Sequence, residues 1–333
     1  MRKYRLRIII IIFLIIIMIV FQPDVMTGVR AGLVICFSTV IPSLFPLAVF
    51  SNYLTDLLLG IKVKVLLPLN RLCGMPIGTE SLFLVGCIGG YPLGAKAVAD
   101  TYNKKLISKQ TAERLLAFCN NAGPAFVFGM GITLFNSLTV CTALYMIQLI
   151  GAFITGCLLH KNKQDLKAVC VAAKPSSFTQ SISGAIRAMV GICGSIVLFK
   201  VMINLILERI SGKLPVVMEI ILIGVLELSN ATIGLHRISE QAIRFVLLSG
   251  FLSFGGLCVA LQTQNLVGDL NTDVYICGKI MQCSICVILS TLVQQLLFEK
   301  SLSKITGLTI VLISGSLIFG IYMYLKRKNT GKY

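Results

Sequence analysis

Eight ionisable residues stand inside or at the ends of long apolar runs: Glu80, Lys96, Asp100, Arg187, Lys200, Glu219, Glu227 and Lys279. A charge at membrane depth is costly, so such residues mark solute or ion pathways unless they pair with one another or snorkel to the surface. Two stretches close to them interrupt helices. One carries Gly86, Gly89, Gly90, Pro92 and Gly94; the other reads Asn120-Asn121-Ala122-Gly123-Pro124. Pro124 has no N–H to donate and clashes with the preceding turn, and Gly123 loosens that turn further. Backbone groups freed in this way need partners, and a polar ligand can supply them; a plain kink is the alternative. The chemistry on offer is recognition of a polar solute, not bond making. The chain has two His, His160 and His236, far apart, and no HExxH, P-loop, paired-Asp or Ser/His/Asp pattern. Cys283 and Cys286 form a CxxC inside an apolar run with no His beside it, which disfavours a zinc or redox role. The reading is therefore of a chain that is not an enzyme and takes no cofactor and no metal.

Those residues must be positioned by membrane helices. The chain of 333 residues is 56% hydrophobic and 13% charged, about half the charge of a soluble domain. Its mean hydropathy is +0.90, and the apolar residues are gathered into runs near the length that spans a bilayer. The net charge of +17 suggests nucleic acid at first. Yet the basic residues sit between apolar runs, at Arg2–Arg7, at Lys62, Lys64 and Arg71, at 104–109, at 161–174 and at 326–332. That is the distribution of cytoplasmic loops under the positive-inside rule, and the partner it implies is the lipid bilayer. Arg2, Lys3, Arg5 and Arg7 before the Ile-rich run, with no small-x-small site after it, read as a retained signal-anchor helix within 1–30.

The spacing predicts an all-α polytopic membrane protein. Apolar segments follow at 31–59, 80–96, 109–135, 137–160, 185–208, 216–235, 239–267, 275–298 and 305–325. Counting ten full spans puts the basic linker 161–184 outside. Treating 80–104 and 216–237 as re-entrant hairpins leaves about eight transmembrane helices and keeps that linker, with both termini, inside. Irregular backbone at such depth survives only when buried in protein or lining a cavity. For the first hairpin, Gly86-x3-Gly90-x3-Gly94 is otherwise a helix-packing face. In the second, Ser229, Asn230, Thr232 and Gly234 are the expected breakers. Span, hairpin, broken helix, span then occurs twice, over 31–160 (broken helix 109–136) and 185–298 (broken helix 239–267), in opposite orientation. A C-terminal helix and basic tail fill 299–333. Inverted repeats of this kind are a transporter signature.

The stretch Leu82-Phe83-Leu84-Val85-Gly86-Cys87-Ile88-Gly89-Gly90-Tyr91-Pro92-Leu93-Gly94-Ala95-Lys96 and the later Phe118-Cys119-Asn120-Asn121-Ala122-Gly123-Pro124 resemble the YlbJ family of sporulation integral membrane proteins. Pro42-Ser43-Leu44-Phe45-Pro46, Glu227-Leu228-Ser229 and Ser253-Phe254-Gly255-Gly256-Leu257 with Gln262 also fit. That family belongs to the nucleoside-recognition, or Gate, superfamily, similar in fold to concentrative nucleoside transporters. The resemblance covers roughly 30 to 298. Asn230-Ala231 departs from it, standing where the second hairpin tip would carry a glycine.

The resemblance implies a stage V sporulation protein that moves dipicolinate across the outer forespore membrane, in the mother-cell membrane system. It also implies alternating access and a small anionic solute as partner. A nucleoside or other small-solute transporter, or a channel or structural component of a sporulation complex, are the alternatives. A homo-oligomer is left open. The substrate-binding candidates are Gly90, Tyr91, Pro92, Gly94, Lys96, Asn120, Asn121, Gly123, Pro124, Glu227, Ser229, Asn230 and Gln262. In this reading Lys96 reaches back over the first tip towards a carboxylate while Tyr91 stacks on a pyridine ring. The competing reading pairs Lys96 with Asp100, four residues on along one helix face. Lys200 has no assigned role.

Overall fold

In an apolar surround a chain must satisfy its own backbone N–H and C=O groups, and runs of Ile, Leu, Val and Phe do so as helices. The structure is a computed structural model that describes residues 2–58, 67–160, 177–210, 212–298 and 303–329. Every regular element among them is helical. Helix α1 (Arg2–Val20) is exposed along its Ile-rich length and turns through 93° into α2 (Gln22–Ile35). One π turn, Cys36–Val40, joins α2 to α3 (Ile41–Leu58). The short α4 (Leu67–Cys73) leads to two short helices, α5 (Glu80–Gly89) and α6 (Leu93–Asn103). Next come α7 (Lys109–Cys119) and α8 (Pro124–Phe135), two halves of one broken helix, and then α9 (Leu138–Leu158).

The second half repeats this order. The long α10 (Phe178–Ile210) precedes the short pair α11 (Val216–Leu226) and α12 (Leu228–Gly234). A broken helix, α13 (Gln241–Phe254) with α14 (Gly256–Val267), and the long α15 (Asp273–Leu297) follow. Helix α16 (Lys304–Asn329) packs on α15. Among the described residues, five helices are long and apolar enough to cross a membrane: Lys109–Phe135, Leu138–Leu158, Phe178–Ile206, Gln241–Val267 and Asp273–Leu297. The bent pair α1–α2 makes a sixth if counted as one span, whereas Glu80–Gly89, Val216–Leu226 and Leu312–Tyr322 are apolar but shorter. The chain is a polytopic, all-helical membrane protein. The basic linker 161–174, on which its orientation turns, lies outside the described residues.

Lipid tails are as apolar as Leu, so helices associate here through close packing of small residues more than through exclusion of water. Gly28 and Gly32 show this on α2. A Cβ on either would come within 2.8 Å and 2.9 Å of the Val201 and Val197 Cα atoms of α10. Gly278 on α15 likewise lets that helix lie against Ala117 of α7. The apolar core falls in three parts. One surrounds α5–α7, a second joins α8 and α9 to α11–α13 and α15, and a third joins α2 and α3 to α10.

The second short pair breaks earlier than the sequence suggests. Ser229, Asn230, Thr232 and Gly234 all lie within α12, and the chain turns at Glu227. The cause is a side-chain cap: the Glu227 carboxylate accepts the Ser229 and Asn230 N–H groups at 2.9 Å and 2.8 Å and so starts the new helix. Glu227 has φ −154°, ordinary extended backbone, so this turn needs no glycine. Glu219 and Arg237 close the open end of the pair through a two-point ion pair at 2.9 Å and 3.0 Å. Arg187 is exposed on α10.

Candidate functional site

Both broken helices pack their gaps against the tip of the short pair in the same half. At the first tip Gly90 has φ +79°, which favours glycine, and a Cβ there would lie 2.6 Å from the Gly123 N. The Cys119 carbonyl oxygen fits the notch between Gly86 and Gly94, where Cβ atoms would come within 1.7 Å and 2.0 Å of it. The Gly86-x3-Gly90-x3-Gly94 series is thus a close-packing face, but it faces an unwound segment instead of a helix. At the second tip Gly256, with φ +81°, lies against the Gly224 and Leu226 carbonyls, a Cβ standing 3.2 Å from each.

Side chains from several helices reach the first gap. Asn120 is extended, and its Oδ1 accepts the Ala95 N–H of the first turn of α6 at 3.3 Å. Its Nδ2 donates to Thr263 Oγ1 at 3.1 Å and to Tyr275 Oη at 3.4 Å. Asn121 donates Nδ2 to the Phe118 carbonyl at 2.8 Å, one of the acceptors freed by the end of α7. Its Oδ1 accepts from Lys279 Nζ at 3.3 Å and from Gln282 Nε2 at 2.9 Å. Gln148 Nε2 donates to the Ala122 carbonyl at 3.0 Å. Both asparagines are fully buried.

Around the second tip a polar chain crosses from α10. Lys200 Nζ donates to Asn230 Oδ1 at 2.7 Å, and Asn230 Nδ2 donates to Glu227 Oε2 at 2.6 Å. An ammonium and a carboxylate are therefore bridged by one amide. Glu227, Ser229, Tyr91, Gln262 and Cys258 face a cavity of about 90 Å³. Apolar side chains from α2, α8 and α10, among them Ile35, Phe126, Met130 and Ile192, complete the wall. A mostly apolar wall with a few placed polar groups is the make-up of a solute pocket. The Tyr91 hydroxyl is buried and has no hydrogen-bond partner among the described residues. A second cavity of about 540 Å³, between α11, α13, α15 and α16, is apolar apart from Ser284 and Thr306 and offers little to orient a polar solute.

Of the residues singled out from sequence, Tyr91, Glu227, Ser229 and Gln262 meet at this cavity, and Asn230 stands behind Glu227. Gly90, Gly94 and Gly123 serve the contact between tip and gap. Pro92 and Pro124 begin the helices that follow them. Asn120 and Asn121 are absent from the cavity wall. Lys96 is absent too; its Nζ pairs with Asp100 Oδ2 at 2.7 Å, one turn away on α6. Residues that sequence reasoning left without a role are Lys200, Lys279, Gln148 and Gln282. Each is a polar group inside an apolar run, and that was the available signal.

No family model matches the chain, and no solved structure matches it. The chain is similar to the sporulation integral membrane protein YlbJ of Bacillus subtilis (strain 168). The two are 24% identical over 293 residues, covering 74% of this chain and 70% of the relative.

Proposed function

We propose that the chain is a sporulation membrane transporter that moves dipicolinate by alternating access, and that the cavity between the two hairpin tips receives the solute. One observation carries this reading: both tips and α2, α8, α10 and α14 converge on one small cavity holding a buried carboxylate and an unpartnered hydroxyl. The similarity to a sporulation integral membrane protein supports the setting. In this reading α5–α6 and α11–α12 are re-entrant hairpins, the two halves are oppositely oriented, and about eight segments cross. The protein is not an enzyme.

At about 90 Å³ the cavity is well below the roughly 300 Å³ of a typical ligand pocket, so a ring-sized solute needs the tips to part. That favours a gated carrier over an open channel. Charge sets a further condition. Lys200 and Glu227 balance one another through Asn230, so a dianion beside Glu227 requires an accompanying cation, for which Glu227 is the acidic ligand. A second reading has this same wall in its favour. A carboxylate with neutral hydrogen-bonding groups suits an uncharged, hydroxylated solute, as a nucleoside is.

Uptake into proteoliposomes tests both. Saturable uptake of labelled dipicolinate that an excess of nucleoside leaves unchanged, and that Glu227→Gln reduces tenfold or more (about 1.4 kcal/mol at the site), is the expected result. Uptake of nucleoside in its place moves the assignment to the second reading, and uptake of neither removes the transporter reading.

A further inference from the structure

Lys279 is buried in α15, six residues and about 9 Å from the start of the helix. Its Nζ donates to Gln282 Oε1 at 2.8 Å and to Asn121 Oδ1 at 3.3 Å, and no carboxylate pairs with it among the described residues. The amides around it are held by other contacts. Asn121 Nδ2 is tied to the Phe118 carbonyl, which turns Oδ1 towards the ammonium. Gln282 Nε2 donates to Asn121 Oδ1 and to the Gln148 carbonyl. Gln148 is anchored in turn on the Ala122 carbonyl, and its own Oε1 is buried without a donor among the described residues. Membrane carriers hold small cations at helix breaks with the oxygens of unwound backbone; at this break the oxygens gathered are those of side-chain amides, and a lysine nitrogen stands among them.

We infer that the Lys279 ammonium is a built-in cation, filling an amide-lined position at the α7–α8 gap that a small monovalent metal ion takes when the side chain is cut back. A tethered ammonium cannot be released down a gradient, so this gap is not where a metal ion couples to movement. The inference concerns the fold at the gap and does not depend on what the cavity between the tips carries.

Thermal melting of the purified chain in detergent tests it, in sodium chloride against choline chloride at equal ionic strength. The wild type melts at one temperature in both salts. Lys279→Ala melts lower in choline, since buried amide oxygens lose their donor, and regains roughly 2–4 °C in sodium. Lys279→Met fills the space with an apolar chain and melts low in both. The inference is overturned if Lys279→Ala melts alike in the two salts, if Lys279→Met matches the wild type, or if sodium stabilises the wild type itself. It is also overturned if Lys279→Ala cannot be recovered folded from sodium-containing buffer, because the position then fails to accept the ion.

Discussion

Glycines in this chain divide by what faces them. Gly86 and Gly94 hold the Cys119 carbonyl between them, at distances where no Cβ fits, and the obstacle is backbone on every side. Among the described residues, Gly191 on α10 has nothing within 4 Å of its Cβ position. Gly86→Ala should therefore exceed the usual overpacking cost of about 1–3 kcal/mol and sharply lower the yield of folded protein. Gly191→Ala should be neutral or raise stability by up to about 1 kcal/mol through helix propensity. Size-exclusion profiles and melting temperatures of the two variants check this; a monodisperse, wild-type-like Gly86→Ala would mean that the notch is not formed. The glycine pattern was legible in the sequence, but its target was not. The spacing of three intervening residues is the same whether a helix or an unwound strand lies opposite.

Among the elements, the short pairs differ in how they turn. The first uses Gly90 at a positive φ of +79°, the second a carboxylate cap at Glu227. Lys96 belongs to the body of α6, where it forms a part-exposed pair with Asp100. Exposed pairs of this kind contribute about 0–1 kcal/mol. Lys96→Gln and Asp100→Asn should each leave melting within that range and leave proteoliposome uptake near the wild-type rate. A strong loss of uptake in Lys96→Gln alone would return Lys96 to the site. Sequence spacing held both possibilities open, because a lysine one turn from a tip can reach back to it or forward to a partner.

At the scale of the whole molecule, the repeated order of helices leaves orientation to be measured. The proposed topology of about eight crossings predicts that both termini and the 161–174 linker face the cytoplasm and that Lys213 faces the other side. In a background cleared of native Cys, Lys213→Cys should react with an impermeant thiol reagent from outside and Lys163→Cys should not; the reverse pattern would sink this topology. What the sequence determined by itself is local: apolar runs long enough to span, the helical class, and the breaks at Asn120–Pro124 and within 239–267. Run length, missing N–H groups and glycine freedom act within a turn or two of the chain. What only the tertiary structure decided is which polar groups meet. Lys200 finds Asn230 30 positions away, Asn120 finds Tyr275 across 155, and Lys279 finds Asn121 across 158. A buried polar group takes whatever partner packing brings within about 3 Å. That meeting depends on how helices cross, which composition and periodicity leave open.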